Sequence, residues 1–190
     1  LPYEFFLIGG KKMSSSKGLG LKGRDLTSVL PASVGRFLFT RTDYKQAIEF
    51  DPVGTMAIPD LFDEYDRCWQ AYNTDGDVNL SRAFVLSQIH DVPEKENGMF
   101  MPRFRDVANL KQLPNVDVYE RLAEVKGSDL TAKEKELIKE RDSYAALWLS
   151  TYAPDEYRFQ ISTTPFGLLN LTNDQWDFLN DLAVVWKSAE

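Results

Sequence analysis

A second cysteine is missing from this sequence, and with it any intramolecular disulfide, since Cys68 is the only thiol in 190 residues. So little cysteine fits a reducing compartment, and the cytoplasm is the expected location. Histidine is as scarce. With His90 alone, neither a histidine-based metal cluster nor a nucleophile–histidine pair can be assembled. No metal site is expected, and Cys68 and His90 read as ordinary core or surface residues. The apolar runs Phe5-Phe-Leu-Ile8 and Ala83-Phe-Val-Leu86 fall far short of a membrane span, and the start has no basic-then-apolar secretory pattern. No membrane partner is expected. Positive charge is in deficit: 22 Lys and Arg against 29 Asp and Glu leave a net charge of −7. The surface as a whole therefore carries no footprint for nonspecific nucleic-acid binding.

That deficit is uneven. Up to Thr42 stand Lys11, Lys12, Lys17, Lys22, Arg24, Arg36 and Arg41 against only Glu4 and Asp25, a basic end on an acidic body. Within it lies Gly9-Gly-Lys-Lys-Met-Ser-Ser-Ser-Lys-Gly18. Flanking glycines let backbone approach a ligand, serines donate from hydroxyls, and ammonium groups offset the charge of a polyphosphate. The loop is built to meet phosphate. Two familiar phosphate patterns do not explain it. Gly18-Leu-Gly20-Leu-Lys-Gly23, with Asp43 about twenty residues on, has dinucleotide-type glycine spacing but no strand leading into its first glycine. A Walker loop is absent, because the Gly-Lys-Ser order does not occur. Asp75-Gly-Asp77-Val-Asn79 begins like a calcium loop, yet Leu80 and Leu86 occupy the positions of its glycine and its bidentate glutamate. It reads as an aspartate-capped turn.

An apolar content of 43% supports a folded, mainly α protein with an α+β N-terminal end. The residues to Ile8 read as a strand stopped by Gly9-Gly10. Arg24–Leu30 and the stretch from Pro31 to about Thr42 read as helices, as does Asp60–Asn73, where Leu61, Tyr65, Trp69 and Tyr72 share a face. Arg82–Gln88 has the length and apolar content of a second strand. Helical spacing follows from Arg103 to Pro114 and over Val116–Val125, with a domain boundary between residues 113 and 114. Thr131-Ala-Lys-Glu134 and Thr172-Asn-Asp-Gln175 are capping boxes. After the second, Leu171 is expected to staple onto Trp176, and Trp176, Leu179, Ala183 and Trp186 to form a buried face. Arg103 and Arg105 around Phe104, with Lys111 beyond, offer a small basic face.

Lys12-Met-Ser-Ser-Ser16 resembles the KMSKS signature of class I aminoacyl-tRNA synthetases, and Phe5 to Gly18 resembles its version in the class I lysyl-tRNA synthetase family. Arg36-Phe-Leu-Phe-Thr-Arg41, Phe50-Asp-Pro52, Asp63-Glu-Tyr-Asp-Arg67 and Trp148-Leu-Ser-Thr-Tyr-Ala-Pro-Asp-Glu-Tyr-Arg-Phe159 are similar to that family in the same order. The resemblance implies a lysine-tRNA ligase that activates lysine with ATP, Mg2+ accompanying the nucleotide, and transfers it to tRNA(Lys). It implies a catalytic loop of Lys12, Ser14, Ser15 and Ser16, and ATP-phosphate contacts from Lys11, Lys12, Met13 and Lys17. Lys12 would be the principal phosphate-binding lysine and Met13 the loop's anchor.

Ser15 stands where KMSKS has its second lysine, a charge that Lys17, or less readily Lys11, would replace. By family position and charge, Arg36, Arg41, Arg103 and Arg105 are RNA contacts. Residues 1–113 would form the loop and a β-α-α-β-α domain contacting the tRNA stem, and residues 114–190 the beginning of a helical anticodon-binding domain. The family's HIGH motif does not occur here. The chain is therefore expected to be a piece of a longer, monomeric enzyme and to be inactive alone. A glutamyl-tRNA synthetase-like ligase piece and a free-standing tRNA-binding module are the alternatives.

Overall fold

A computed structural model of the chain describes residues 5–13, 23–43, 45–160 and 171–188. Among these the order is β1 (Phe6–Ile8), β2 (Lys11–Lys12), α1 (Gly23–Val29), α2 (Ala32–Thr40), β3 (Ile48–Glu49), α3 (Ala57–Asn73), α4 (Val78–Ser87), α5 (Phe104–Lys111), α6 (Val118–Lys126), α7 (Ala132–Thr151), a 3-10 turn over Asp155–Tyr157, and α8 (Asn173–Ser188). The protein is mainly α, with a small mixed sheet at its N-terminal end. The sheet order is β2-β1-β3. β1 pairs antiparallel with β2, Leu7 opposite Lys12, and parallel with β3, Phe6 opposite Ile48. Two compact units divide the chain, residues 1–158 and 159–190.

The first unit is built around α3, which packs on α2, α4 and α5, while α7 closes over α5. Ile58, Leu61, Phe62 and Cys68 make the buried stripe of α3, at the three- and four-residue spacing of a helix. Phe62 stacks on Phe104 of α5 with ring centroids 4.3 Å apart. Trp148 of α7 meets Phe104 edge-on at 5.8 Å and Tyr157 at 4.8 Å. The Trp148-to-Phe159 stretch thus ends α7 and folds back so that its own tyrosine covers its tryptophan. A buried ion pair crosses this core. Arg141 of α7 donates from Nη1 to Asp66 Oδ2 at 2.9 Å and also to the Pro102 carbonyl. Burial pushes the Asp66 carboxyl above its ordinary value, and the guanidinium opposes that rise.

The structure changes three expectations. Arg82–Gln88 is not a strand, because α4 runs through it from Val78 to Ser87. Asp77 caps the helix by accepting the N–H groups of Asn79 at 2.8 Å and Leu80 at 2.9 Å. Phe84 and Ser87 are buried while Val85 and Leu86 are exposed, which is helical spacing rather than alternation. The second strand of the β-α-α-β-α order is instead β3. Finally, Trp176, Leu179, Ala183 and Trp186 are exposed, Trp186 by 72%. α8 is the one described helix of the unit 159–190, and that unit offers it no second described helix against which to bury an apolar stripe. Both capping boxes form: Thr131 with Glu134, and Thr172, whose N–H donates to Gln175 Oε1 at 3.0 Å.

Candidate functional site

The basic loop leaves the sheet from a two-residue hairpin. Gly9 and Gly10 have φ of +55° and +71°, the left-handed backbone that a two-residue turn needs and that side chains resist. A Cβ on Gly9 would also stand 3.2 Å from Asp51 Oδ2. β1 is bonded along both edges. The Met13 N–H donates to the Phe6 carbonyl at 2.8 Å on one side, and on the other the N–H groups of Ile48 and Phe50 donate to the carbonyls of Phe5 and Leu7 at 2.8 and 3.0 Å. The base of the loop is therefore fixed as far as Met13.

Strand register sorts the side chains. Phe6 and Ile48 point into the core and are buried, so Leu7, with its cross-strand partners Lys12 and Glu49, lies on the opposite face, and Phe5 joins it two residues away. On that face the Lys12 ammonium lies 3.9 Å from the centroid of the Phe5 ring. Glu49 reaches to the turn, where its Oε1 accepts the Gly10 N–H at 3.0 Å. Lys11, one residue from Lys12, lies on the other side of the ribbon. Lys11, Lys12 and Met13 are all exposed. Ser14, Ser15, Ser16 and Lys17 lie outside the described residues. Phe5 and Glu49 were not picked out from sequence as contacts of this loop; an aromatic two positions before the paired residue was the available signal for Phe5, whereas Glu49 lies 39 residues from Gly10 and left none.

The four arginines do not form one open patch. Arg36 of α2 donates to the Gln88 carbonyl at 3.0 Å. Arg41 pairs with Glu64 of α3. Arg103 and Arg105 converge on Asp63: Arg103 Nε lies 3.2 Å from Oδ1 and Arg105 Nε 3.0 Å from Oδ2, and Arg105 also pairs with Asp60. Lys111 is bound by Asp142 of α7 at 2.7 Å. The basic residues along α5 are thus matched by carboxylates of α3 and α7.

Elsewhere, Cys68 is buried, and burial pushes its thiol up to about 11, so it is inert at neutral pH. His90 is exposed. Asp75 pairs with Lys95, and Asp77 is spent on the α4 cap. Among the described residues no three His, Cys, Asp or Glu side chains gather as a metal site, and no helix is long and apolar enough to cross a membrane.

Comparison with known proteins addresses the same region. The family model described as tRNA synthetases class I (K) matches residues 1–91. The lysine–tRNA ligase of Pyrococcus horikoshii is 32% identical over 197 residues, covering 96% of this chain and 36% of its own length. That of Methanosarcina barkeri is 29% identical over 194 residues, 99% of this chain and 35% of its own. That of Archaeoglobus fulgidus is 29% identical over 164 residues, 85% of this chain and 30% of its own. The chain thus spans about a third of the length of the curated relatives it matches. With 32% identity to the Pyrococcus horikoshii enzyme over 96% of the present chain, and with the class I (K) family model matching from residue 1 through the hairpin to residue 91, this chain belongs to the class I lysyl-tRNA synthetase family.

Proposed function

We propose that this chain supplies the nucleotide-closing loop and the tRNA-body contacts of a lysine–tRNA ligase acting in the cytoplasm as a monomer. In the first step of that reaction a carboxylate oxygen of lysine attacks the α-phosphorus of ATP. The bond from that phosphorus to the β-phosphate oxygen breaks, and pyrophosphate leaves lysyl-adenylate behind. A ribose hydroxyl at the acceptor end of tRNA(Lys) then attacks the lysyl carbonyl, the acyl–phosphate bond breaks, and AMP leaves. Negative charge builds on the leaving pyrophosphate, where a positioned ammonium does the most good. The observation that carries this reading is the hairpin itself, whose doubly bonded β1 holds Lys12 on an exposed face at the start of the serine run.

In this proposal Lys12 binds the triphosphate, Met13 anchors the loop, and Ser14, Ser15 and Ser16 donate hydroxyls. Mg2+ arrives with the nucleotide. Lys17 takes the place of the charge that Ser15 lacks. It is preferred to Lys11 because neighbours on a strand face opposite ways, and Lys11 therefore points away from Lys12. Residues 1–113 carry the loop and the stem contacts, with Arg36, Arg41, Arg103 and Arg105 on tRNA, and residues 114–190 begin the anticodon-binding helices. Lysine is favoured over glutamate because the relatives described above are lysine–tRNA ligases. The chain alone is expected to be inactive, since it matches only about a third of each of them.

The test is a segment exchange. This chain replaces the matching segment of the Pyrococcus horikoshii enzyme, and ATP–pyrophosphate exchange is measured with lysine. Lysine-dependent exchange should be retained by the chimera, fall about 100-fold in Lys12→Ala, and fall more than about tenfold in Lys17→Ala. A chimera without lysine-dependent exchange, or a Lys12→Ala enzyme with the parent rate, would refute the assignment.

A further inference from the structure

We infer that Phe5 is a positioning residue for Lys12: its ring holds the ammonium on the solvent face of the hairpin, ready for a polyphosphate. The inference rests on the phosphate-binding reading of Lys12 given above.

An exposed lysine samples many rotamers, and a ligand that captures it must freeze them. Here the side chain is already gathered, with Nζ 3.9 Å from the Phe5 centroid. Phe5 can do this because β1 is bonded on both edges from its own carbonyl onward, which fixes the ring's origin, and because Lys12 sits opposite Leu7, one diagonal step from Phe5.

The choice of an aromatic holder matters. A carboxylate in the same place would hold the ammonium through a charge that an incoming phosphate has to displace. A ring attracts the cation through its quadrupole and presents no anion. It also touches only one side of the ammonium, so the remaining N–H donors stay available. Glu49 of β3 shares that face of the sheet, and its Oε1 accepts the Gly10 N–H of the turn at 3.0 Å. Among the described residues no carboxylate pairs with Lys12. Within the described residues, the hairpin holds its lysine through a ring and not through a carboxylate.

The full 190-residue chain, labelled for NMR, is titrated with inorganic tripolyphosphate at fixed ionic strength. Five forms are compared: the unaltered chain, Phe5→Leu, Phe5→Trp, Lys12→Ala, and Phe5→Leu with Lys12→Ala. The unaltered chain should show Lys12 ε-methylene signals shifted upfield by the ring, and binding that Lys12→Ala removes. Phe5→Leu should abolish the upfield shift and weaken binding about two- to fivefold. Phe5→Trp should retain both, and Phe5→Leu should change nothing further in the Lys12→Ala background. Equal affinity in Phe5→Leu, an equal loss in Phe5→Trp, or a loss that persists without Lys12 would overturn the inference and leave the phosphate reading standing. Absence of any Lys12-dependent binding in the unaltered chain would overturn both.

Discussion

Glu134 shows how much one side chain can tie together. Its Oε2 accepts from the Thr131 N–H at 2.8 Å and from the Lys126 ammonium at 2.7 Å, and its Oε1 accepts from the Phe100 N–H at 2.9 Å. Burial works against its charge, but these donors outweigh burial and hold the carboxyl down at about 2 instead of 4.5. A carboxyl depressed in the folded state stabilises fully above its unfolded value and loses that contribution as pH falls toward the folded one. Glu134→Gln should therefore lower the Tm at pH 7, and the gap to the unaltered chain should close as pH drops from about 4.5 toward 2. Thermal unfolding followed by circular dichroism across that range checks this, and a gap independent of pH contradicts it. The Thr131–Glu134 half of this arrangement was legible, because a capping box is a fixed spacing of residue types. Phe100 and Lys126 were not, since contacts made across 34 residues, and across eight with the end of α6 between them, leave no periodic mark.

At the level of the element, α4 is the instructive case. Arg82-Ala-Phe-Val-Leu-Ser-Gln88 is short and apolar, and such a run does not distinguish strand from helix by itself. The deciding residue lies five positions upstream. Asp77, read from sequence only as part of a turn, accepts the free N–H groups of Asn79 and Leu80 and starts a helix that continues through the run. Asp77→Ala should lower stability by about 1 kcal/mol in urea unfolding, with loss of helical signal before the main transition. An unchanged midpoint would show that α4 stands on its packing against α3 alone. β3 escaped notice for the opposite reason. Two residues are too few to alternate, and Ile48-Glu49 becomes a strand only because β1 offers it an edge. The turn announced itself through Gly9-Gly10, whose backbone geometry few other residues tolerate, whereas Lys11-Lys12 reads as loop in the sequence and becomes β2 only by pairing with β1.

Across the whole molecule, the sequence shows a basic end and an acidic body, and folding brings parts of the two together. Arg41 lies against Glu64, and Arg103 and Arg105 lie against Asp63 and Asp60, all three carboxylates on α3. Charge counting along the chain singles out these arginines but cannot show their partners, which come from 23 to 45 residues away. This alters what binding to tRNA should look like. A protein that meets phosphate with unpaired cations releases condensed ions from the nucleic acid, and its affinity falls with salt by a logarithmic slope of about 0.7 to 0.9 per contact. If Arg41, Arg103 and Arg105 make the proposed tRNA contacts, each phosphate must first take its arginine from a carboxylate. The slope measured by fluorescence anisotropy with tRNA(Lys) should be shallower than about 0.7 for each of these arginines. Asp63→Asn should both tighten binding and steepen the slope, and an Asp63→Asn chain identical to its parent in both respects would refute the argument. For any phosphate backbone that reaches this face, α3 acts as an internal counterion strip, a competitor present at a concentration that no buffer can dilute.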